Sequence, residues 1–422
     1  MRYATVSIND LPVGSVLGAP VHDSRHIKLL SEGMEVTPLL LESLRQRSVY
    51  TVAVSVGDLT RIQAFKPQGK SRHAHPDHPA MDVRFQNEYS RELDAICNDQ
   101  GKCTLQASDS PFSAKIRKPS SAFYDREYTH ELLESHEKTI SKLDTMMDAC
   151  RAGDTSEISL IQNAVADSLR DATEDVDAFA CLGANPNGFS YPSRHAKHCA
   201  MLATTMGATV GLDEVSLQEL GFGCLIHDIG MMAIDRRMFE TRKVLEFDEF
   251  LEIATHPIKT FDVISRNLDQ VPVNARMVAF QMHERYNGEG YPRRREGEGI
   301  HPFARLAAVA DAYTALVSPR PHRPGMLPYY AMEKMVRDTS RGMFDPKAVR
   351  ALLETVSLFP LGSYLELSND YVGRVIRSNG KCYTLPKVEI WKRGNLSARP
   401  AVVDLSLDGA IKVVKPIMAL QD

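Results

Sequence analysis

Hydrophobic positions along this chain change their period three times. Near the start, Tyr50, Val52, Val54 and Val56 alternate with small or polar neighbours, the period of a strand with one buried face. Residues 37–45 read as a short helix, and Leu11-Pro12-Val13-Gly14 and Ser31-Glu32-Gly33 supply turns. Residues 1–64 are therefore expected to form a small α+β domain. From 65 to 124 the periodicity lapses while Pro, Ser, Lys and His accumulate, the composition of a partly disordered linker, with a short helix over 85–97. Helical spacing then resumes. Leu133, Ile140, Leu143 and Met147 mark one face, Gly153-Asp154 breaks it, and Ile158, Ile161, Val165 and Leu169 mark another. A helical connection over 125–187 follows, with faces suited to packing or to a homodimer contact. The turn Asn185-Pro186-Asn187-Gly188 opens a helical core over 188–357. Past 358 the pattern becomes short strands around Tyr364, Glu366-Leu367, 371–377 and 388–391, with turns at Asn369-Asp370 and Asn379-Gly380. This predicts a β-module over 358–422, a cap or a surface for protein partners. The expected class is mainly α: an all-helical core flanked by small β-containing N- and C-terminal domains.

The candidate chemistry lies in the core. In Gly223-Cys224-Leu225-Ile226-His227-Asp228-Ile229-Gly230, the residues Leu217, Leu220, Cys224 and His227 recur at helical spacing. His227 is thus expected on the buried face of a helix, with Asp228 roughly 100° further round. A buried His and carboxylate need a partner, and either a salt bridge or a metal satisfies both. His195 begins an apolar face continued by Cys199, Leu202 and Met206, and taken alone it reads as a satisfied core histidine; His198 is off that face and expected to be exposed. His256 precedes Pro257, His283 follows Met282, and Asp311 interrupts the Ala-rich run Leu306-Ala307-Ala308-Val309-Ala310. Five elements thus direct His or Asp inwards, and no cysteine joins the set. Imidazole and carboxylate together suit borderline or hard divalent cations, and their accumulation favours metal over a purely structural role.

Composition narrows the classes. The 422 residues, 43% hydrophobic, allow two to four domains with a sizeable core. The net charge of −4 gives no global bias towards DNA or an anionic membrane. No apolar run approaches the ~20 residues of a membrane span, and Met1-Arg2-Tyr3-Ala4 opens no signal peptide. Seven cysteines without a Cys-x-x-Cys pair read as reduced thiols, as expected of a cytoplasmic protein. His73, His75 and His78 are interleaved with prolines that prevent a convergent helical spacing, so they read as solvated linker, as do Lys115, Arg117 and Lys118.

His195, His227-Asp228, His256, His283-Glu284, Gly290-Tyr291-Pro292 and Asp311, in this order and spacing, resemble the HD-GYP branch of the HD metallohydrolases. The resemblance covers 188–357. It implies an all-helical core holding two or three divalent metal ions, iron or manganese, with two expected here, and phosphodiesterase activity on cyclic di-GMP in bacterial second-messenger signalling. The product would be the linear dinucleotide, GMP or both. Carried over residue by residue, His195, His227, Asp228 and Asp311 would hold one metal, Asp228 would bridge to the second, and His256 and His283 would serve that second ion. Asp228 would also orient or deprotonate the attacking water. Gly290 and Tyr291 would shape the substrate pocket, and Arg320 and Arg323 would grip phosphates. Arg293-Arg294-Arg295 reads as a solvated loop or a source of steering charge. Four positions depart from the family pattern: Met282, Met231, Thr314 and Tyr191. The thioether of Met282 is a poor ligand for iron(II) or manganese(II), so the second site is expected to be weakened and a third metal absent. The same losses support an alternative, a catalytically weak receptor or interaction module for cyclic di-GMP.

Overall fold

In the computed structural model the chain divides into two compact units, Met1–Pro76 and Asp77–Asp422. The structure describes most of 86–417, with gaps at 102–103, 118–124, 156–157, 159, 187–190, 240–246 and 320–323, and stretches of 3–58. The His73–His78 tract, Lys118, Arg320 and Arg323 lie outside the described residues.

The first unit is built on a four-stranded antiparallel sheet of β1 (Tyr3–Ser7), β2 (Val21–His22), β3 (Lys28–Leu30) and β4 (Thr51–Ser55), in the order β1-β4-β2-β3. The alternation read in the sequence is real: Val52 and Val54 of β4 point into the core of this unit with Leu17, Val21 and Leu30. Leu41 and Leu44, within the expected 37–45 helix, join the same core.

The second unit is a helical assembly. It comprises α1 (Glu88–Gln100), α2 (Arg126–Arg151), α3 (Leu160–Glu174), α4 (Val176–Ala184), α5 (Ser193–Thr209), α6 (Glu214–Ile226), α7 (Phe247–Ala254), α8 (His256–Val263), α9 (Val273–Gln281), α10 (Pro302–Val317), α11 (Pro328–Ser340) and α12 (Pro346–Val356). Within the expected linker, α1 is fully formed. Asn87 caps it, accepting from Ser90 N while Ser90 Oγ answers Asn87 N, two orphan donors satisfied at once.

Helix α5 is the axis of the core. It packs against α2, α3, α4, α6, α10 and α12, so 15 of its 17 residues are buried and no polar face remains. His198, expected to be exposed, is therefore 1% accessible; its ring meets His136 edge to face at 4.7 Å, and its Nδ1 donates to Gly183 O at 3.1 Å. Lys197 is buried as well and donates to Ser168 Oγ. On α2 the apolar stripe runs through Leu132 rather than Leu133, which is 44% exposed. Leu132, His136, Ile140, Leu143 and Met147 form the observed inner row, spaced as a helix face requires.

The carboxy-terminal sheet has the order β8-β7-β6-β5-β9, with β5 (Tyr364–Leu367), β6 (Tyr371–Arg377), β7 (Lys387–Lys392), β8 (Ala401–Asp404) and β9 (Val413–Ile417). Asn369 and Asp370 both take positive φ, 60° and 62°, as a tight hairpin between β5 and β6 demands. The module is tied to the helices by a buried ion pair: Arg377 NH1 donates to both oxygens of Asp175, at 2.7 and 2.8 Å. Asp175 is also the N-cap of α4. Trp391 is half-buried on β7.

Candidate metal centre

His227 is not in mid-helix. Helix α6 ends at Ile226, His227 is its C-cap, and Asp228 already leads a 3₁₀ turn, Ile229–Ala233. Leaving the helix is what aims the two side chains at one point instead of 100° apart. The turn must lie almost on α8, since a Cβ at Gly230 would sit 2.1 Å from His256 O. Only glycine allows that approach. Thr260, one turn after His256, secures the junction. Its hydroxyl accepts from Gly230 N at 3.0 Å and lies 3.0 Å from the carbonyls of both His227 and His256, which share its single proton.

Two sets of side chains meet there. One ligand atom each from His195, His227 and Asp228 lie within 4.8 Å of one another, as do those from Asp228, His256 and His283. Asp228 belongs to both, with Oδ2 3.3 Å from His227 Nε2 and Oδ1 3.4 Å from His256 Nε2. Asp311, from α10, reaches His195 Nε2 at 2.9 Å and lies 3.6 Å from His283 Nδ1. All six groups are at most 8% exposed.

The tautomers are set from behind. His227 Nδ1 is 2.7 Å from Cys224 O and His256 Nδ1 is 2.8 Å from Ile253 O, so each ring donates its Nδ1 proton to a carbonyl. That leaves Nε2 as the lone-pair nitrogen, directed inwards. Nε2 of His227, His256 and His283 are buried and take no hydrogen bond among the described residues. Buried imidazole nitrogens without hydrogen bonds, beside two carboxylates, are what a divalent cation would satisfy; the donor set fits one.

The electrostatics pair the carboxylates with the imidazoles. Burial disfavours charge on Asp228 and Asp311, yet the surrounding imidazoles outweigh it and hold both well below the usual carboxylate range. Burial likewise opposes a charged His227, but Asp228 prevails and pushes it up to about 10. His256 and His283 are held down, chiefly by burial, and so favour the neutral form that ligates metal.

The Gly-Tyr-Pro segment folds over the second set. Tyr291 stacks on His283 with centroids 5.0 Å apart and meets the edge of His256 at 6.0 Å. Gly290 has no room for a side chain: a Cβ would lie 2.3 Å from Arg285 N. Glu284 does not reach the two sets. Its carboxylate accepts from the amides of Arg293 and Arg295, at 2.7 and 3.1 Å, and burial pushes it up to about 7. Arg293-Arg294-Arg295 is correspondingly no free loop, because Arg293 and Arg295 are engaged by Asp94 of α1. Met231 and Met282 are fully buried in the core, as is Thr314, while Tyr191 stands with its ring 5.9 Å from His195.

Residues 184–348 match the family described as HD domain. The match covers under half of the chain, and all six of these His and Asp residues lie within it. A cyclic di-GMP phosphodiesterase of Pseudomonas aeruginosa is 30% identical over 223 residues, 52% of this chain and 53% of its own length. A cyclic di-GMP phosphodiesterase of Thermotoga maritima is 29% identical over 161 residues, 38% of this chain and 44% of its own. The chain spans about half the length of these curated relatives. Among solved structures, an HD-GYP-like protein of Bdellovibrio bacteriovorus aligns with a TM-score of 0.32 at 13% identity, covering 83% of this chain and 98% of that one. Among the described residues, no helix is long and apolar enough to cross a membrane.

Of the residues singled out in the sequence, His195, His227, Asp228, His256, His283 and Asp311 converge in this HD core, with Tyr291 above them. Thr260 escaped the sequence reading. Its signal was a small polar residue four positions after His256, on the same helix face.

Proposed function

We propose that the chain is a metal-dependent phosphodiesterase that hydrolyses cyclic di-GMP to the linear dinucleotide, GMP or both. One observation carries the reading: two buried His and Asp sets share Asp228, and three of their imidazole nitrogens take no hydrogen bond among the described residues. Two divalent ions, iron or manganese, would be held by His195, His227, Asp228 and Asp311 on one side and by Asp228, His256 and His283 on the other. Such ions supply charge neutralisation at the phosphate and activate water near neutral pH. Asp228, fixed between His227 and His256, would orient that water and accept its proton. Tyr291 and Gly290 would shape the pocket for the base and sugar, and Arg320 and Arg323 would grip the phosphates. The substrate is the one for which the similar proteins of Pseudomonas aeruginosa and Thermotoga maritima are named.

A second reading is supported by Met231 and Met282, which put two thioethers where the family has a cation and a nitrogen ligand. In that reading the fold binds cyclic di-GMP without turning it over. Anaerobic turnover by protein loaded with iron(II) or manganese(II), with metal counted alongside, separates the two. Metal-dependent product that disappears in His227→Ala and Asp311→Ala supports the enzyme. Tight dinucleotide binding without product supports the receptor, and neither would sink both.

A further inference from the structure

Helix α1 lies well before the HD segment at 184–348, yet it grips the loop that covers the metal centre. Asp94 stands between two arginines of that loop: Arg293 Nε donates to Oδ2 at 2.7 Å and Arg295 NH2 to Oδ1 at 3.0 Å. Arg293 also donates to Ser90 Oγ at 3.1 Å, and its guanidinium lies 5.5 Å from the ring centroid of Phe280. Arg295 reaches Asn98, one turn on, at 3.3 Å. The side chains are largely withdrawn from water, Asp94 at 24% exposed and the arginines at 12% and 17%. At the other end of α1, Asn87 donates to Ile258 O and to Asp262 Oδ1 of α8, the helix that begins with His256.

The loop needs such a hold. It is closed at its base by Gly297 N donating to Tyr286 O at 2.8 Å and by the bridge between Asn287 and Glu296. Between the two gripped arginines, Arg294 takes φ of +53°, a left-handed conformation that a side-chain-bearing residue adopts at a cost. Glu284 holds the backbone of this stretch through the amides of Arg293 and Arg295 from beneath, and Asp94 holds the side chains of the same two residues from α1. Two residues before Arg293, Tyr291 is the ring stacked on His283.

We infer that Asp94 is a positioning residue for the Gly-Tyr-Pro loop: its bridge to Arg293 and Arg295 makes α1 part of the substrate site and fixes Tyr291 over the second metal set. The inference rests on the proposed dinucleotide site for its consequence in catalysis, but not for the clasp itself. A carboxylate between two guanidiniums is charge-assisted at both bonds, and its loss removes the shared countercharge from both arms at once.

The test uses the full chain as Asp94→Ala, with Asp94→Glu as the conservative variant and Asn87→Ala as a control that loosens α1 at its N-cap and from α8 while leaving the Asp94 carboxylate in place. Amide hydrogen exchange over 291–297 is expected to quicken at least tenfold in Asp94→Ala, to recover in Asp94→Glu and to stay unchanged in Asn87→Ala. With cyclic di-GMP and metal-loaded protein, KM is expected to rise at least tenfold in Asp94→Ala while kcat changes less than threefold. Unaltered loop exchange in Asp94→Ala overturns the inference, as does an equal quickening in Asn87→Ala, which would make α1 a general brace. Unchanged KM in an active enzyme also overturns it. A wild-type protein without turnover removes the phosphodiesterase reading alone, and loop exchange then decides the clasp.

Discussion

His283 and Tyr291 stack with their ring planes 13° from parallel, although they lie in a segment without regular secondary structure. The stack converts a loop residue into the outer wall of a buried ligand, holding the His283 ring against rotation. Tyr291→Ala is therefore expected to weaken metal retention by about ten- to a hundredfold, the usual cost of losing a group that orients a ligand. Tyr291→Phe keeps the ring and should retain the metal. Chelator competition with metal counting measures both; equal retention in the two variants would refute the role of the stack.

Thr260 links the backbone of the His-Asp turn to the helix bearing His256. Thr260→Val preserves shape but strands the buried Gly230 amide and removes the proton shared by the two carbonyls, a loss of about 1–3 kcal/mol. The urea midpoint should fall accordingly, and metal content should fall with it because His227 and His256 lose their common anchor. Thr260→Ser should behave as wild type.

The Arg377–Asp175 pair is the buried polar tie between the β-module and α4. Arg377→Ala leaves Asp175 buried without its countercharge, which typically costs about 3–5 kcal/mol. Asp175→Asn with Arg377→Met is expected to recover most of that loss, since the pair is then removed together. Thermal unfolding of the single and double variants tests the coupling.

His136 and His198 should make the core acid-sensitive. Burial pushes His136 down to about 2 and His198 to about 4, and neither Nδ1 nor Nε2 of His136 has a hydrogen-bond partner among the described residues. Both rings are neutral in the folded chain and charge readily once unfolded, near 6.5. The unfolded state thus binds more protons below that pH, and stability present above 6.5 is lost as pH falls towards 4. The slope approaches about 1.4 kcal/mol per pH unit for each histidine. His136→Phe should flatten the curve between pH 6 and 4.5; an unchanged slope in urea titrations would count against the pair as its source.

The local sequence determined what each segment can bury. The apolar rows of α3 and α5, the α2 row apart from Leu133, the alternation in β4, and the Asn369-Asp370 hairpin were legible, because period and turn chemistry act over a few residues. The ordered histidines and aspartates were legible too, since a charged group in an apolar row announces that something must compensate it. Tertiary structure decided the rest. It buried His198 by surrounding α5 on every side, where the sequence of α5 alone offered a polar face. It ended α6 before His227, because the turn at Gly230 gains the contact with Thr260 that a longer helix would forgo. It joined Asp94 to Arg293 and Arg295 across about 200 residues, turning a run of arginines from solvated surface into a clasp. Pairings over such separations depend on which helices the core brings side by side, and no local period carries that information.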